Sequence, residues 1–177
     1  NTIIAFMSVY AHKVIGFDGK QITSFLILST VFAMLGSLII GWLVKHKGTV
    51  FSYGLVLWIW LTALCLIVIS TGETLFWMVG PLAGAGMGGV WVASRAIVVE
   101  LSPPEKIGEF FGIYSLAGKM ASIAGPLLWG SVVWIFQDTQ TLKYRAAVGS
   151  LLLIAIATIF LFNTLKKQIQ TNSAQIE

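Results

Sequence analysis

Two basic residues stand inside long apolar stretches of this sequence, and they are the positions best placed to do chemistry. Arg95 lies six residues before Leu101, which is about 9 Å along a helix at 1.5 Å per residue. Lys119 follows Phe110 by nine residues, or about 13 Å, close to the midplane if these stretches cross a membrane. A charge at that depth costs about 2.5–3.5 kcal/mol, so such residues normally face a cavity or a partner and mark a pathway.

Polar and aromatic side chains accompany the two cations. Ser115 and Ser122 are four residues before and three residues after Lys119, so they extend a polar stripe along one helical face. Tyr114 and Trp91 are candidates for lining the same cavity, although both residue types also serve as anchors at a membrane interface. With the two cations, these four residues are the predicted binding or translocation residues.

A structural role competes with binding at both cations. Arg95 could extend its side chain to the nearby interface, and Lys119 could bond backbone carbonyls or an acid on another helix. The nearest acid, Glu100, lies close to the predicted membrane surface, and no Asp or Glu stands deep in an apolar stretch. The countercharge must then come from an anionic solute group or from an acid outside this sequence.

Glycines follow a helical spacing in the same region. Gly80, Gly84 and Gly88 are four residues apart, so they share one face and let another helix backbone approach closely. Gly118 and Gly125 place further small residues on the next predicted helix. We interpret all five as helix-packing residues.

Composition indicates a membrane protein. Of the 177 residues, 57% are hydrophobic and 10% are charged, against about 25% charged in soluble domains. So few charges cannot cover the outside of a globular domain, and the same composition argues against disorder. The eleven Lys and Arg form no basic cluster with interleaved aromatics, so we predict no nucleic-acid partner.

Enzyme motifs are missing from the sequence. There is no HExxH, GxSxG or GxxxxGKS/T pattern, and the single cysteine, Cys65, has no metal-ligand spacing around it. No pair of buried acids is available for general acid–base work. We therefore predict that the chain is not an enzyme and holds no cofactor or metal ion.

The charge-free stretches predict five complete helical spans. A bilayer core about 30 Å thick needs about 20 apolar residues of helix, and the lack of alternation excludes barrel strands. The first eleven residues are apolar but too short to span, so we interpret them as part of a further, truncated helix. The predicted spans are 1–11 (partial), 21–44, 50–70, 75–101, 110–136 and 146–165. They form a transmembrane unit, 1–167, followed by a polar tail, 168–177.

Short connections join these spans and carry most of the charge. One side of the membrane receives Lys45, Lys47, Lys106, Lys166 and Lys167, and the other receives Lys13, Lys20, Lys143 and Arg145. Five against four marginally favours the first side as cytoplasmic under the positive-inside rule. In the connection 102–109, Ser102 is predicted to cap the next helix, with Glu105 completing a capping box.

Several patterns together resemble a known family of membrane transporters. The segment 41–48, GWLVKHKG, resembles the loop signature between the eighth and ninth helices of the major facilitator superfamily. It keeps Gly41, Gly48 and the basic character, including Lys47, but has Lys45 where the signature usually has Asp. These residues are the candidate gating loop.

A narrower resemblance covers the later part of the sequence. It is to the vacuole effluxer-like family, which contains fungal vacuolar amino-acid effluxers linked to autophagy and many bacterial relatives. The matching residues are Gly88-Gly89, Ser94-Arg95, Leu101-Ser102-Pro103-Pro104, the run from Glu109 to Lys119, and Gly125-Pro126.

The resemblance implies an all-α integral membrane fold. The chain would be the C-terminal six-helix half of a twelve-helix major facilitator fold, its first helix truncated and its missing N-terminal half the partner. Segment 75–101 would line a central cavity, and the C-terminus would be cytoplasmic, with membrane lipid around the bundle.

The implied function is secondary active transport of a small solute, such as an amino acid, by alternating access. The expected location is a bacterial inner membrane. A structural or accessory bundle subunit without transport activity is the competing interpretation.

Overall fold

The computed structural model describes residues 2–70, 72–139 and 142–173. Within these ranges the chain is almost entirely helical and contains no β-strand. The six α-helices in this part of the chain are α1 (Thr2–Tyr10), α2 (Gly19–Lys47), α3 (Thr49–Ile69), α4 (Glu73–Leu101), α5 (Ile107–Ile135) and α6 (Leu142–Ser173). A π-helical segment, Ala11–Ile15, extends α1, and a 3₁₀ turn, Pro104–Lys106, precedes α5.

Five of the helices are long and apolar enough to cross a membrane. The candidate spans are Gly19–Lys47, Thr49–Ile69, Glu73–Leu101, Pro104–Ile135 and Leu142–Lys167. Large apolar side chains on their outer surfaces are exposed, such as Met34 on α2 and Phe160 on α6, which suits lipid rather than water. The prediction of an all-α, multi-pass integral membrane protein is confirmed.

The helices extend beyond the charge-free stretches because charged residues occupy their end turns. Lys45 and Lys47 lie in the last turn of α2, so Gly48 alone joins α2 to α3. Gly48 has a φ of 87°, a backbone conformation that glycine adopts without the steric cost of a Cβ.

The helical conformation of α6 also continues past the predicted span. It reaches Ser173, so the described part of the predicted polar tail is helical. Asn1 and residues 174–177, which belong to the predicted partial span and tail, lie outside the described residues.

A capping box is present at the start of α2, where it was not predicted. The Asp18 carboxylate accepts from the backbone N–H of Gln21, and the Gln21 side chain accepts from the Asp18 N–H, which fixes the start of α2. The capping box predicted at Ser102 is wrong. The Ser102 hydroxyl instead donates to the carbonyl of Val98, in the last turn of α4, and Pro103 precedes the 3₁₀ turn.

Helices α2 and α4 form the most extensive contact of the bundle, and glycine makes it possible. A Cβ added to Gly84 would overlap the backbone of Ser29, and one added to Gly88 would overlap the backbone of Ala33. A Cβ on Gly36 would in turn lie 2.5 Å from a backbone oxygen of α4. The two helices therefore meet backbone to backbone over several turns.

Aromatic side chains fill the core at the end of the bundle where α2 begins. Tyr10, Phe17, Phe25 and Phe76 are all buried, and the rings of Phe25 and Phe76 stack with centroids 5.1 Å apart. The Tyr10 hydroxyl donates to a carbonyl near the end of α3, at 3.2 Å. Gly80 leaves room for the Phe25 ring, since an added Cβ would lie 2.9 Å from it. This end of the bundle is thus tightly closed.

Helix α5 is the least buried of the five candidate spans. Ile113, Leu116 and Met120 are each 60% exposed or more. The helix packs mainly on α6 and touches α4 more lightly. Its firmest anchor is Trp129, which is buried and stacks on Phe6 of α1 with ring centroids 4.7 Å apart.

Candidate functional site

Helix α4 contacts α2 and α5, and an exposed part of its surface, called the groove below, faces neither helix. Both helices pack on α4 but are not packed against each other. The floor of the groove is a stripe of exposed residues on α4, Trp91, Arg95 and Val99, which follow at intervals of four residues. The apolar 18-residue windows of α4 and of the span that contains α5 have mean hydropathies of 1.5 and 1.2, against 2.2 for the other three spans, so α4 and α5 are the two least apolar spans.

One hydrogen bond shows which sides of α4 and α5 face each other. The Ser94 Oγ and the Tyr114 hydroxyl oxygen are 2.9 Å apart. Each residue turns the helix by about 100°, so Arg95 is rotated by about 100° around the α4 axis from Ser94. Lys119 is five residues after Tyr114, so it is rotated by one full turn and a further 140° around the α5 axis. Because neighbouring helices joined by a short turn run in opposite directions, both rotations lead to the same side of the helix pair. The same construction places three further residues on that side: Trp91, Ser115 and Ser122.

Arg95 is exposed on the floor of the groove and is held by a neighbouring ring. Its guanidinium carbon lies 5.2 Å from the centre of the Trp91 ring, a cation–π contact. Trp91 is one helical turn earlier and is itself 50% exposed. A guanidinium presented in this way can bind a carboxylate through two parallel hydrogen bonds.

Lys119 stands in the middle of α5, deeper than Arg95. It is the thirteenth of the 29 residues of the helix, about 18 Å from Ile107, and its side chain is exposed. Tyr114 is level with Ser94, so Lys119 lies about 9 Å farther from the α4–α5 turn than Arg95 does. The two charges are therefore at different depths of one groove.

The hydroxyl groups of the two serines near Lys119 differ in their hydrogen bonding. The Ser122 hydroxyl donates to the Lys119 carbonyl at 2.7 Å, so its oxygen is left to accept a hydrogen bond. Ser115 is exposed one turn before Lys119. Together they give the deep charge a polar surrounding on an otherwise apolar helix.

Acidic residues of the described chain lie at helix ends. They are Asp18, Glu73, Glu100, Glu105, Glu109 and Asp138. The part of the chain that the structure describes therefore supplies no carboxylate at the depth of Lys119. It also contains no group of three His, Cys, Asp or Glu side chains that could hold a metal ion.

Tyr114 is placed differently from the other predicted site residues. Its side chain is half-buried and directed at α4, not into the groove.

The two predicted packing glycines of α5 do not contact another helix as closely as those of α4 do. Gly118 has open space around it, since an added Cβ would meet nothing within 4 Å in the described chain, and Gly125 is half-buried. The packing role of these two glycines stays a prediction, whereas the α4 glycines lie directly on α2.

The predicted gating loop lies at the end of α2. Gly41 faces α4, because an added Cβ would lie 3.8 Å from a methyl carbon of Val92. Lys45 and Lys47 are exposed in the last turn, next to Gly48. The gating role of this segment stays a prediction.

Sequence reasoning did not predict the contact between Ser94 and Tyr114. The residue matched a motif together with Arg95, but its contact with Tyr114 depends on how α4 and α5 pack. The signal available was rotational: Ser94 is about 60° and 100° away from Trp91 and Arg95 on the helix, so it had to face something other than the groove.

A comparison with protein families decides what kind of fold this is. The Major Facilitator Superfamily model matches residues 1–176, essentially the whole chain. The chain belongs to this superfamily. The resemblance inferred from the loop and helix motifs is confirmed, and with it the multi-pass membrane fold.

The chain is similar in sequence to three curated proteins. An uncharacterized MFS-type transporter, YxiO, of Bacillus subtilis is 28% identical over 98% of the chain, and an uncharacterized protein of Aquifex aeolicus is 29% identical over 87%. Autophagy-related protein 22 of Eremothecium gossypii is 34% identical over 48% of the chain. The chain spans 39%, 40% and 16% of the lengths of these relatives. No solved structure shows a significant match.

Proposed function

We propose that this chain is part of a secondary active transporter that moves a small solute across a membrane by alternating access. The observation that carries the proposal is the placement of Arg95 and Lys119, both exposed on one side of the α4–α5 pair. Two cations inside membrane spans attract an anionic group, and the described residues place no carboxylate at the depth of the deeper cation. Transporters of this architecture bind their cargo near the bilayer midplane between two halves, which is the depth of Lys119.

A carboxylate is the anionic group that suits these side chains. The planar guanidinium of Arg95 matches both carboxylate oxygens, whereas Lys119 supplies a compact point charge. Ser115 and Ser122 add hydroxyls beside it. The likeness to the vacuolar amino-acid effluxers, and to autophagy-related protein 22 in particular, favours an amino acid as the cargo.

The other parts of the proposal concern what surrounds the chain. An N-terminal six-helix half would close the open side of the groove, and lipid would cover α3 and α6. We place the protein in a bacterial inner membrane with its C-terminus in the cytoplasm, supported by the basic residues at that end of the bundle. We propose no enzymatic step.

The test is solute uptake by the full-length protein in lipid vesicles, across a panel of amino acids and other small carboxylates with proton and sodium gradients imposed. Neutral variants Arg95→Gln and Lys119→Gln are compared with the charge-keeping Arg95→Lys and Lys119→Arg. The neutral variants are expected to lose most of the uptake, because each leaves one cation to hold the carboxylate.

A matched control comes from the same chain. Lys20→Gln removes one exposed positive charge from the first turn of α2, far from the groove, and is expected to transport normally. Normal uptake by both neutral variants would show that the groove cations do not bind the cargo. Wild-type protein that accumulates no solute under any gradient would favour the accessory-subunit interpretation.

A further inference from the structure

We propose that Ser94 and Tyr114 are positioning residues, which hold α4 and α5 at the spacing that the Arg95–Lys119 site requires. The inference rests on the proposed function of that site and adds a role for two hydroxyl groups outside the groove. Both hydroxyls lie between the helices, at the level of Arg95.

The hydrogen bonds of this pair have a fixed direction. A serine hydroxyl has one proton, and the Ser94 Oγ lies 2.5 Å from the carbonyl oxygen of Val90, which can only accept. Ser94 therefore donates to Val90, and Tyr114 donates to Ser94 across 2.9 Å. The resulting chain ties a side chain of α5 to the backbone of α4.

Apart from the chain connection 102–106, few contacts join the two helices near this point. Helix α4 contacts α5 far less than it contacts α2 or α3. Gly112 and Gly118, on either side of Tyr114, offer no packing, because an added Cβ at either would meet nothing within 4 Å. The firm anchor of α5, Trp129, is about 22 Å farther along the helix from Tyr114. Helix α5 is thus held by Trp129 at one end, and by the Ser94–Tyr114 pair and the short connection to α4 at the other.

The consequence for the site follows from the geometry. Arg95 is the residue after Ser94, and Lys119 is on the helix that Tyr114 ties down. The distance between the two cations depends on the separation of α4 and α5, so a wider separation makes it harder for one anionic group to contact both. Loosening the Ser94–Tyr114 pair should therefore weaken cargo binding more than it slows the turnover of bound cargo.

The first test measures helix separation without any cargo. Spin labels are attached at Val99→Cys and Phe110→Cys, two exposed positions near the turn between α4 and α5, in full-length protein with Cys65→Ser and no other cysteine. Electron paramagnetic resonance is expected to show longer or broader distances in Tyr114→Phe and in Ser94→Ala. The double variant should show no more than either single change, since both remove the same bond, and Ser94→Thr should restore the wild-type distances.

Tyr10→Phe is the matched control. It also removes a tyrosine hydrogen bond between helices, but at the opposite end of the bundle, so the α4–α5 distances should not change. In uptake assays, Tyr114→Phe is expected to raise KM about fivefold, the size of one net hydrogen bond, with a smaller change in maximal rate.

The outcomes separate the two proposals. Unchanged distances in Tyr114→Phe and Ser94→Ala overturn the positioning role, even if Arg95→Gln is inactive and the proposed function stands. Altered distances with an unchanged KM also overturn it, because the pair then joins the helices without positioning the site. If Arg95→Gln and Lys119→Gln transport normally, the proposed function fails and the positioning role fails with it.

Discussion

Arg95 and Trp91 act as one unit at the scale of single residues. The guanidinium lies over the indole ring of the preceding turn, 5.2 Å from its centre, and both side chains border the open groove. A long side chain that is already restrained loses less conformational entropy when a ligand binds. The ring is therefore expected to contribute to the affinity of Arg95 for an anion without touching the anion itself.

Replacing Trp91 tests this contribution. Trp91→Leu keeps an apolar side chain but removes the ring, and we expect KM for the transported solute to rise about two- to fivefold, since an exposed cation–π contact is worth about 0.5–1 kcal/mol. Trp91→Phe retains an aromatic face and should lie between Trp91→Leu and wild type. Equal uptake kinetics in Trp91→Leu and wild type would show that the ring does not assist Arg95.

The limits of sequence reasoning are also visible in individual residues. The depth of Lys119 and the neighbourhood of Ser115 could be predicted, because residue spacing alone fixes height and rotation on a helix. The partners of Ser102 and Tyr114 could not, because a hydroxyl bonds whichever acceptor or donor the packing brings near it. The Ser102 hydroxyl donates to a carbonyl of the preceding turn of α4, and the Tyr114 hydroxyl bonds a serine on another helix.

At the scale of helices, the bundle combines one tight pair with one loosely held helix. Helices α2 and α4 meet at glycine positions on both sides, including Gly36 and Gly88, so they are expected to move as a single body. Helix α5 lacks such contacts next to α4. A change in the width of the groove is therefore expected to come from α5 and not from α2.

Substitution at Gly88 tests the tight pair. Gly88→Ala would place a methyl group into the backbone of Ala33, and we expect a loss of about 1–3 kcal/mol of stability because the helices must separate. Thermal unfolding of the purified full-length protein in detergent measures the loss as a lower Tm. Gly149→Ala, at a position with open space around it, is the control and should leave the Tm unchanged or slightly higher. An unchanged Tm in Gly88→Ala would contradict the backbone contact.

Helix identity was easier to predict than helix partners. The four-residue spacing of Gly80, Gly84 and Gly88 predicted a face for close approach, but nothing in the sequence indicated that α2 would occupy it. Helix α2 also continues past the predicted span 21–44, through Lys45 to Lys47. Lysine stabilises the last turn of a helix through its carbonyls, so the chain stays helical until Gly48.

At the scale of the whole molecule, both ends of the bundle mix basic and acidic residues, and Glu100, Glu105 and Glu109 lie at the end where α2 and α6 finish. The end of α2 carries Lys45 and Lys47, and α6 brings Lys166 and Lys167 to the same end. The opposite end mixes Lys20 with Asp18 and Glu73, and Glu73 accepts a hydrogen bond from Gln21 of α2 at 3.2 Å. The proposed orientation therefore rests on the count of basic residues, five against four.

Reporter fusions in full-length protein test the orientation. A fluorescent protein placed after Lys167 is expected to fluoresce in the cytoplasm, whereas alkaline phosphatase inserted after Asp138 is expected to be active outside it. The reverse pattern would contradict the proposed cytoplasmic C-terminus. It would leave the groove and its cations as they are, because their relative placement does not depend on the direction of insertion.

The central claim, that Arg95 and Lys119 bind the carboxylate of the cargo, is tested most directly by a ratio of affinities. Competition for uptake in vesicles gives the affinity of the full-length protein for the transported acid and for its uncharged primary amide. We predict that wild-type protein prefers the acid by about tenfold or more, and that Arg95→Gln and Lys119→Gln each lose most of this preference. A preference for the acid that is undiminished in both variants would contradict the account.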